Sequence, residues 1–295
     1  MGKSTGVVVG ITGASGYLGG ALNASLRSSG VDVVQYRRSL PTANDEEDVR
    51  HFELGQRPDP GTFDGVTCLV HTAWDLRETK LRRSWERNVE GSKRLLSAAL
   101  DDGVQRFIFV SSMSAYFGTR QNYGIAKLAV ERAVLETQQL VVRPGLVYGG
   151  SPGGMALTLS KLARLPVIPV FRDAKLFTAH IDDIVAALEK LVRPGEVRSG
   201  VLGLANESAT TFPILMRALA NEVGSKASTF PVPWHPLLLS LQAAEKIGVP
   251  LPVRSDSLLG LVRGPRNVPG SAIVEELGLD FRPFPEGLAG SFDAI

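Results

Sequence analysis

Only one of the 295 residues is cysteine, Cys68. A lone thiol excludes an internal disulfide, and its place in the apolar run Val66-Thr-Cys-Leu-Val70 points to a buried small hydrophobe in a reducing, cytoplasmic setting. Histidine is nearly as scarce. The four (51, 71, 180 and 235) are scattered and no ligand cluster joins His180, Asp182 and Asp183, so no metal is expected and His180-Ile-Asp-Asp183 reads as a structural anchor of a second lobe. Neither sign of charge is in excess: 32 basic and 30 acidic side chains leave a net charge of +2, which argues against a nucleic-acid surface or an acidic tail. No run reaches the ~20 apolar residues of a spanning helix, and Met1-Gly-Lys-Ser-Thr-Gly6 lacks the apolar segment of a secretory signal. A soluble protein without a membrane partner is expected. Gly2-Lys3-Ser4 mimics the end of a phosphate loop but has no room for the glycine that opens one, and Gly6 stands where myristoylation needs Ser or Thr.

Glycine, by contrast, is plentiful at 31 residues. In Gly10-Ile-Thr-Gly13-Ala-Ser-Gly16-Tyr-Leu-Gly19, an apolar run (Val7, Val8, Val9) leads in and an amphipathic one (Leu18, Ala21, Leu22, Leu26) leads out. The pattern is strand, glycine turn, helix. Such a turn brings backbone close to a pyrophosphate, and the helix N-terminus holds the negative charge. The Gly10-x-x-Gly13-x-x-Gly16 spacing is not the standard Gly-x-Gly-x-x-Gly, but its context makes Gly10, Gly13, Ser15, Gly16, Tyr17 and Leu18 candidate dinucleotide-binding residues.

Beyond Gly30, a helix stop, Val31–Tyr36 is a short β-rich run ending in Arg37-Arg38. At the end of the second strand a carboxylate would bind the ribose 2′-OH of NAD, whereas arginine accommodates a 2′-phosphate, so the expected cofactor is NADP in preference to NAD. Residues 41–48 read as an acidic loop and Val49–Leu54 as a weaker strand whose Glu53-Leu54 end faces the adenine edge. Strands at Val66–His71, Gln105–Val110 and Leu140–Arg143 alternate with helical patterns at 76–100 and 122–136. Alternation of this kind predicts an α/β fold, a doubly wound, Rossmann-like parallel sheet. The expected division is a dinucleotide-binding domain over 1–150, with strand and helix returns near 175–205, and a smaller substrate lobe over 151–295 that closes a cleft over the cofactor. That lobe carries helical patterns at 155–164, 182–192 and 211–223, a strand near 201–205 and a helix-rich tail from 236.

Tyr123-Gly-Ile-Ala-Lys127 sets a phenol and an ammonium one helical turn apart. A free tyrosine has a pKa near ~10, and a nearby cation favours its ionised form, so Lys127 is expected to tune Tyr123 and to bond the cofactor ribose. Ser112, at a strand end, is placed to hold a substrate oxygen against the phenol. In Gly10-x-x-Gly13-x-x-Gly16, Asn88-Val-Glu-Gly91, Phe107-Ile-Phe-Val-Ser-Ser112, Tyr123-x-x-x-Lys127, Arg143-Pro144 through Tyr148-Gly149 and His180-Ile-Asp-Asp183, the chain resembles an extended short-chain dehydrogenase/reductase of the NAD-dependent epimerase/dehydratase family. The resemblance covers roughly the first 190 residues. It implies that Ser112 and Tyr123 contact the reacting hydroxyl or carbonyl with Lys127 assisting, that Thr72, Ala73, Asn88 and Val110 line the cofactor path, and that hydride passes between a substrate carbon and the nicotinamide.

Departures from the family narrow the reaction. Ser112-Met113-Ser114 stands where dehydratases of the family carry Thr-Asp-Glu, so elimination of water is not expected. The Ser112–Tyr123 segment is short for the family, and Leu146 replaces the asparagine that nucleotide-sugar enzymes often present. An NAD(P)-dependent oxidoreductase or epimerase of a small molecule, with a sugar nucleotide as one candidate substrate, is therefore set beside two alternatives: an NADPH-dependent reductase of a non-sugar carbonyl and a non-catalytic NADP-binding structural or sensor protein. A homodimer is a candidate assembly. In the tail, Arg254, Arg263 and Arg266 read as solvated surface charges, with diphosphate capture the alternative. Pro236–Ile247, preceded by Trp234, reads as a helix packing its leucines on the lobe, with a membrane-surface helix the alternative.

Overall fold

The computed structural model describes residues 6–39, 48–78, 80–150, 153–171, 175–195, 199–249 and 253–288. Gly2-Lys3-Ser4 and the acidic loop at 41–48, save Asp48, lie outside them. In chain order the elements are β1 (Val8–Thr12), α1 (Tyr17–Ser28), β2 (Asp32–Arg37), β3 (Asp48–His51), β4 (Cys68–His71), α2 (Leu81–Trp85), α3 (Gly91–Asp101), β5 (Arg106–Val110), α4 (Asn122–Glu136), β6 (Leu140–Pro144) and β7 (Leu146–Tyr148). They continue with α5 (Gly154–Ala163), β8 (Val167–Val170), β9 (Lys175–Leu176), β10 (Thr178–His180), α6 (Ile181–Leu191), β11 (Gly200–Leu204), β12 (Thr210–Thr211), α7 (Phe212–Glu222), β13 (Ser228–Pro231), α8 (Trp234–Lys246), α9 (Ser255–Val262) and α10 (Ser271–Glu276). A π-helical turn, Glu86–Glu90, joins α2 to α3.

The chain divides into two compact units. One comprises Met1–Ser111, Ala126–Arg143 and Ile184–Leu202; the other comprises Ser112–Ile125, Pro144–Asp183 and Gly203–Ile295. The first holds a seven-stranded sheet ordered β11-β6-β5-β4-β1-β2-β3, in which β6 through β3 pair in parallel. This is the doubly wound arrangement expected from alternating strands and helices, and its order reverses between β1 and β4. Strands β4 and β5 are apolar almost throughout and buried between two helical layers, whereas β3, at the edge, carries Asp48, Arg50 and His51. Tyr36, Phe63, Leu69, Leu95, Phe107 and Phe109 form one side of its core. Cys68 of β4 is buried, and burial pushes its thiol up to about 12, so it behaves as the small hydrophobe expected.

The second unit is built from short ribbons, β7 with β10, β9 with β12 and β8 with β13, packed with α5 and α7 around a stacked Phe171–Phe212 pair whose centroids lie 5.2 Å apart. Pro169 and Pro231 sit within β8 and β13, where a two-stranded ribbon tolerates the missing donor. In the tail, Leu237, Leu238 and Leu241 of α8 pack on this core while Leu239 stays 67% exposed. Among the described residues, no helix is long and apolar enough to cross a membrane.

Candidate active site

The two loops that leave the sheet where its strand order reverses meet each other. Gly13 follows β1 with φ +73, and a side chain there would strike the Ala73 nitrogen and Thr72 Oγ1 at 2.8 Å, in the segment that follows β4. Thr72 Oγ1 donates to the Thr12 carbonyl at 2.7 Å, closing the contact. Ser15 and Gly16 are exposed at the loop tip, and Gly16 is the N-cap of α1, whose first turn carries no acidic residue to neutralise its positive end. Tyr17 and Leu18 open that helix half-buried.

One reading from sequence is corrected here. Gly10 is not in the loop: it lies in mid-β1, where a side chain would strike Leu69 at 2.7 Å and Tyr36 at 2.9 Å. The third working glycine is Gly19, one turn into α1, where a Cβ would lie 2.3 Å from the Gly13 carbonyl oxygen. The triplet that shapes the cradle is therefore Gly13, Gly16 and Gly19, the same spacing moved three residues on. The signal was in the sequence, since both overlapping triplets are present and the strand supplies the difference.

A buried polar chain braces this reversal point. Thr12 Oγ1 lies 2.7 Å from His71 Nδ1, His71 Nε2 lies 2.8 Å from Ser92 Oγ, and Ser92 Oγ donates to the Asn88 carbonyl. Because Ser92 spends its one proton on that carbonyl, it accepts from His71 Nε2–H, which leaves Nδ1 to accept from Thr12. His71 is thus a neutral imidazole, and burial holds its pKa down at about 3. Asn88 sits in the π-helical turn with both ends of its amide engaged: Oδ1 accepts from Asp75 N at 2.7 Å and Nδ2 donates to Asp75 O at 3.0 Å. These bonds clamp the segment after β4.

At the outer end of β2, Arg37 is half-buried, with Nη2 donating to Gln35 Oε1, and Arg38 is exposed. Glu53 accepts from Gln56 Nε2 at 2.6 Å, and Leu54 is buried in the core beneath it.

Helix α4 places Tyr123 and Lys127 one turn apart, as the spacing requires. In the second unit, the Ser112 and Tyr123 hydroxyls are hydrogen-bonded to one another. Two features deliver that pair. A side chain at Gly124 would lie 2.2 Å from the Ser114 carbonyl oxygen, so only glycine lets the first turn of α4 press on the Ser112–Ser114 turn. Asp256 of α9 caps the helix, accepting from Asn122 N at 2.6 Å and Tyr123 N at 3.2 Å. Sequence reasoning missed Asp256, which lies 133 residues from Tyr123 and carries no local signature. Burial pushes the Tyr123 phenol up to about 12, with the Ser112 bond drawing it back, so in this structure desolvation outweighs the lowering expected from a neighbouring cation.

In the first unit, Lys127 is 3% exposed and its Nζ donates to the Val110 carbonyl at 2.8 Å, 3.8 Å from the centroid of the Trp74 ring and 4.7 Å from that of Phe109. Burial pulls its pKa down to about 7 and the Glu131 carboxylate raises it.

The residues read as weaker candidates have partners of their own. His180 packs edge-on against Tyr148 at 5.2 Å between centroids and its Nδ1 accepts from Asp182 N at 3.3 Å, while Asp183 accepts from Arg282 through Nε at 2.9 Å and Nη2 at 2.6 Å. This suits the structural role expected of that segment. Arg254 faces Glu245 at 4.0 Å and Arg263 lies over Trp234.

The sequence profile described as the NAD dependent epimerase/dehydratase family matches residues 9–196. The chain belongs to that family. It is an NAD(P)-dependent enzyme. Over 236 residues the family member is 30% identical to a ceramide reductase of Caulobacter vibrioides, covering 77% of this chain and 74% of the relative. It is 27% identical to an uncharacterized protein of Mycobacterium tuberculosis, of which it spans 23% of the length. Among solved structures it superimposes on MoeE5 in complex with UDP-glucuronic acid and NAD with a TM-score of 0.63 and 25% identity, over 76% of this chain and 85% of that one.

Proposed function

We propose that the protein is an NADP-preferring reductase that acts at a carbonyl carbon of a small substrate, with Ser112, Tyr123 and Lys127 as its catalytic groups. The observation that carries this reading is the hydrogen bond between the Ser112 and Tyr123 hydroxyls, with Lys127 one turn along α4 from Tyr123. The glycine cradle fits a dinucleotide: Gly13 has no room for a side chain, and the uncapped, acid-free start of α1 offers N–H groups and a positive dipole end to phosphate. Gly13, Ser15, Gly16, Tyr17 and Leu18 would hold the pyrophosphate, Glu53 and Leu54 would edge the adenine, Arg37 and Arg38 would take a 2′-phosphate, and Thr72, Ala73 and Val110 would border the nicotinamide half. Gly10 and Asn88 are left out, for the packing reasons given above. Bound NADPH supplies hydride to the substrate carbon.

A phenol held up at about 12 is fully protonated at neutral pH, so Tyr123 enters the reaction as an acid, giving its proton to the carbonyl oxygen. Ser112 steadies that oxygen through its hydroxyl, and the charge of Lys127 favours the phenolate left behind. Leu146, packed against the apolar core of the second unit, supports a substrate less polar than a sugar nucleotide, as does the relationship to a ceramide reductase. Epimerisation of a sugar nucleotide is the second reading, favoured by the likeness to a structure holding UDP-glucuronic acid and NAD. We further propose a homodimer in the cytoplasm, which sedimentation and fractionation test.

Replacing Tyr123 with Phe is the test. Turnover of a carbonyl panel followed at the nicotinamide absorbance falls by about 10²- to 10⁴-fold, while NADPH affinity measured by fluorescence holds. Turnover undiminished in the variant rejects the reading.

A further inference from the structure

Charge nearly balances over the whole chain but not around α2. Between positions 76 and 87, Arg77, Lys80, Arg82, Arg83 and Arg87 stand against Glu78 and Glu86, a local excess of three positive charges where all 295 residues together carry +2. The nearby acids are engaged: Asp75 takes Arg87, Glu86 takes Arg94 Nη1 at 3.0 Å, and Glu78 Oε1 accepts from Lys80 N at 2.8 Å. Arg77, Lys80, Arg82 and Arg83 are exposed and form no ion pair among the described residues. Apolar side chains are interleaved with them. Leu76 is 65% exposed, Leu81 62% and Trp85 40%. Leu81 and Trp85 stand one turn apart on α2 and share a face. Ser84 Oγ accepts from Asn88 Nδ2 at 3.2 Å and so faces inward, which leaves Arg82 on the far side of the helix.

Water-facing leucine and tryptophan beside unpaired cations is the composition of a helix that lies in a bilayer interface: the cations meet lipid phosphates, the indole sits at headgroup depth, and leucine reaches the acyl boundary. An acidic protein or a nucleic acid would use the cations but gives Leu76 and Leu81 nothing apolar to cover them. Helix α8, for which the sequence leaves a membrane surface open, instead packs Leu237, Leu238 and Leu241 on the core of its own unit. We propose that Leu76, Leu81 and Trp85, with Arg77, Lys80, Arg82 and Arg83, attach the protein peripherally to an anionic phospholipid surface. Attachment of this kind needs no spanning helix, and it is independent of the chemistry proposed at Tyr123.

Co-sedimentation of the full chain with vesicles tests it. Binding is expected to vesicles of equal parts phosphatidylcholine and phosphatidylglycerol, weakening as salt is raised, and not to phosphatidylcholine alone. Replacing Arg77, Lys80, Arg82 and Arg83 together with Gln weakens binding by about 10²- to 10³-fold. Leu81→Ser combined with Trp85→Ser also weakens it, and because both sites are exposed the Tm stays near that of the parent. With brominated acyl chains in the anionic vesicles, tryptophan emission is quenched in the parent and much less in Trp85→Phe, which distinguishes Trp85 from Trp74 and Trp234. No binding to anionic vesicles, equal binding to both vesicle types, or binding undiminished in either multiple variant overturns the proposal. A dimer that dissociates in the Leu81→Ser, Trp85→Ser protein while vesicle binding is retained overturns it too, and assigns the face to a second copy of the chain.

Discussion

Buried ionisable side chains in this molecule have their charge states set by the few atoms around them. His71 shows this most simply, since its two ring nitrogens are committed to Thr12 and Ser92 and leave no place for a second proton. Its folded pKa, about 3, lies below the value near 6.5 of an unfolded histidine, so the unfolded chain binds the extra proton between those limits. Stability from this site is complete above about pH 6.5 and is lost as the pH falls toward 3, with a slope that approaches about 1.4 kcal/mol per pH unit. Denaturant unfolding of His71→Gln across that window is expected to show a shallower slope than the parent, by up to one proton. An equal slope rejects the assignment of a neutral, buried imidazole.

At the scale of elements, glycines and caps fix where the helices begin. Gly19→Ala places a methyl 2.3 Å from the Gly13 oxygen and 2.7 Å from Thr72 Oγ1, so α1 must back away from the loop it serves. The expected result is a loss of about 1–3 kcal/mol in unfolding experiments together with weakened NADPH binding, whereas Gly20→Ala, whose nearest neighbour is 3.3 Å away, is milder. The start of α4 depends on Asp256 in the same way. Asp256→Ala removes a cap worth about 0.5–2 kcal/mol and frees the turn that aims Tyr123, so kcat falls while NADPH affinity is retained. Asp256→Asn, which can still accept one of the two N–H bonds, recovers part of the loss. A variant that loses stability with no change in kcat shows the cap to be structural only.

For the whole molecule, cofactor choice is readable as thermal stability, because a ligand that binds only the folded chain raises its free energy of unfolding by about 2.7 kcal/mol at a hundredfold excess over Kd. NADPH is expected to raise the Tm more than NADH at equal concentration. Replacing Arg37 and Arg38 with serine removes that difference. A larger shift with NADH in the parent protein rejects the assignment of the two arginines.

The parallel sheet, its winding, and the Tyr123–Lys127 spacing were legible because each rests on local periodicity: a buried strand reads as an apolar run, and two residues four apart share a helix face whatever surrounds them. The short ribbons of the second unit were not, since strands of two to four residues interrupted by proline leave no period to detect. Which glycines shape the cradle was decided by where β1 stops, and that depends on its parallel pairing with β2 and β4. Local periodicity was enough for the family of folds and for a phenol and an ammonium on one helix face. Tertiary structure alone decided how those side chains are charged and aimed, because burial of Lys127 and the reach of Asp256 to α4 join residues far apart in the chain, and desolvation is a property of the packed interior.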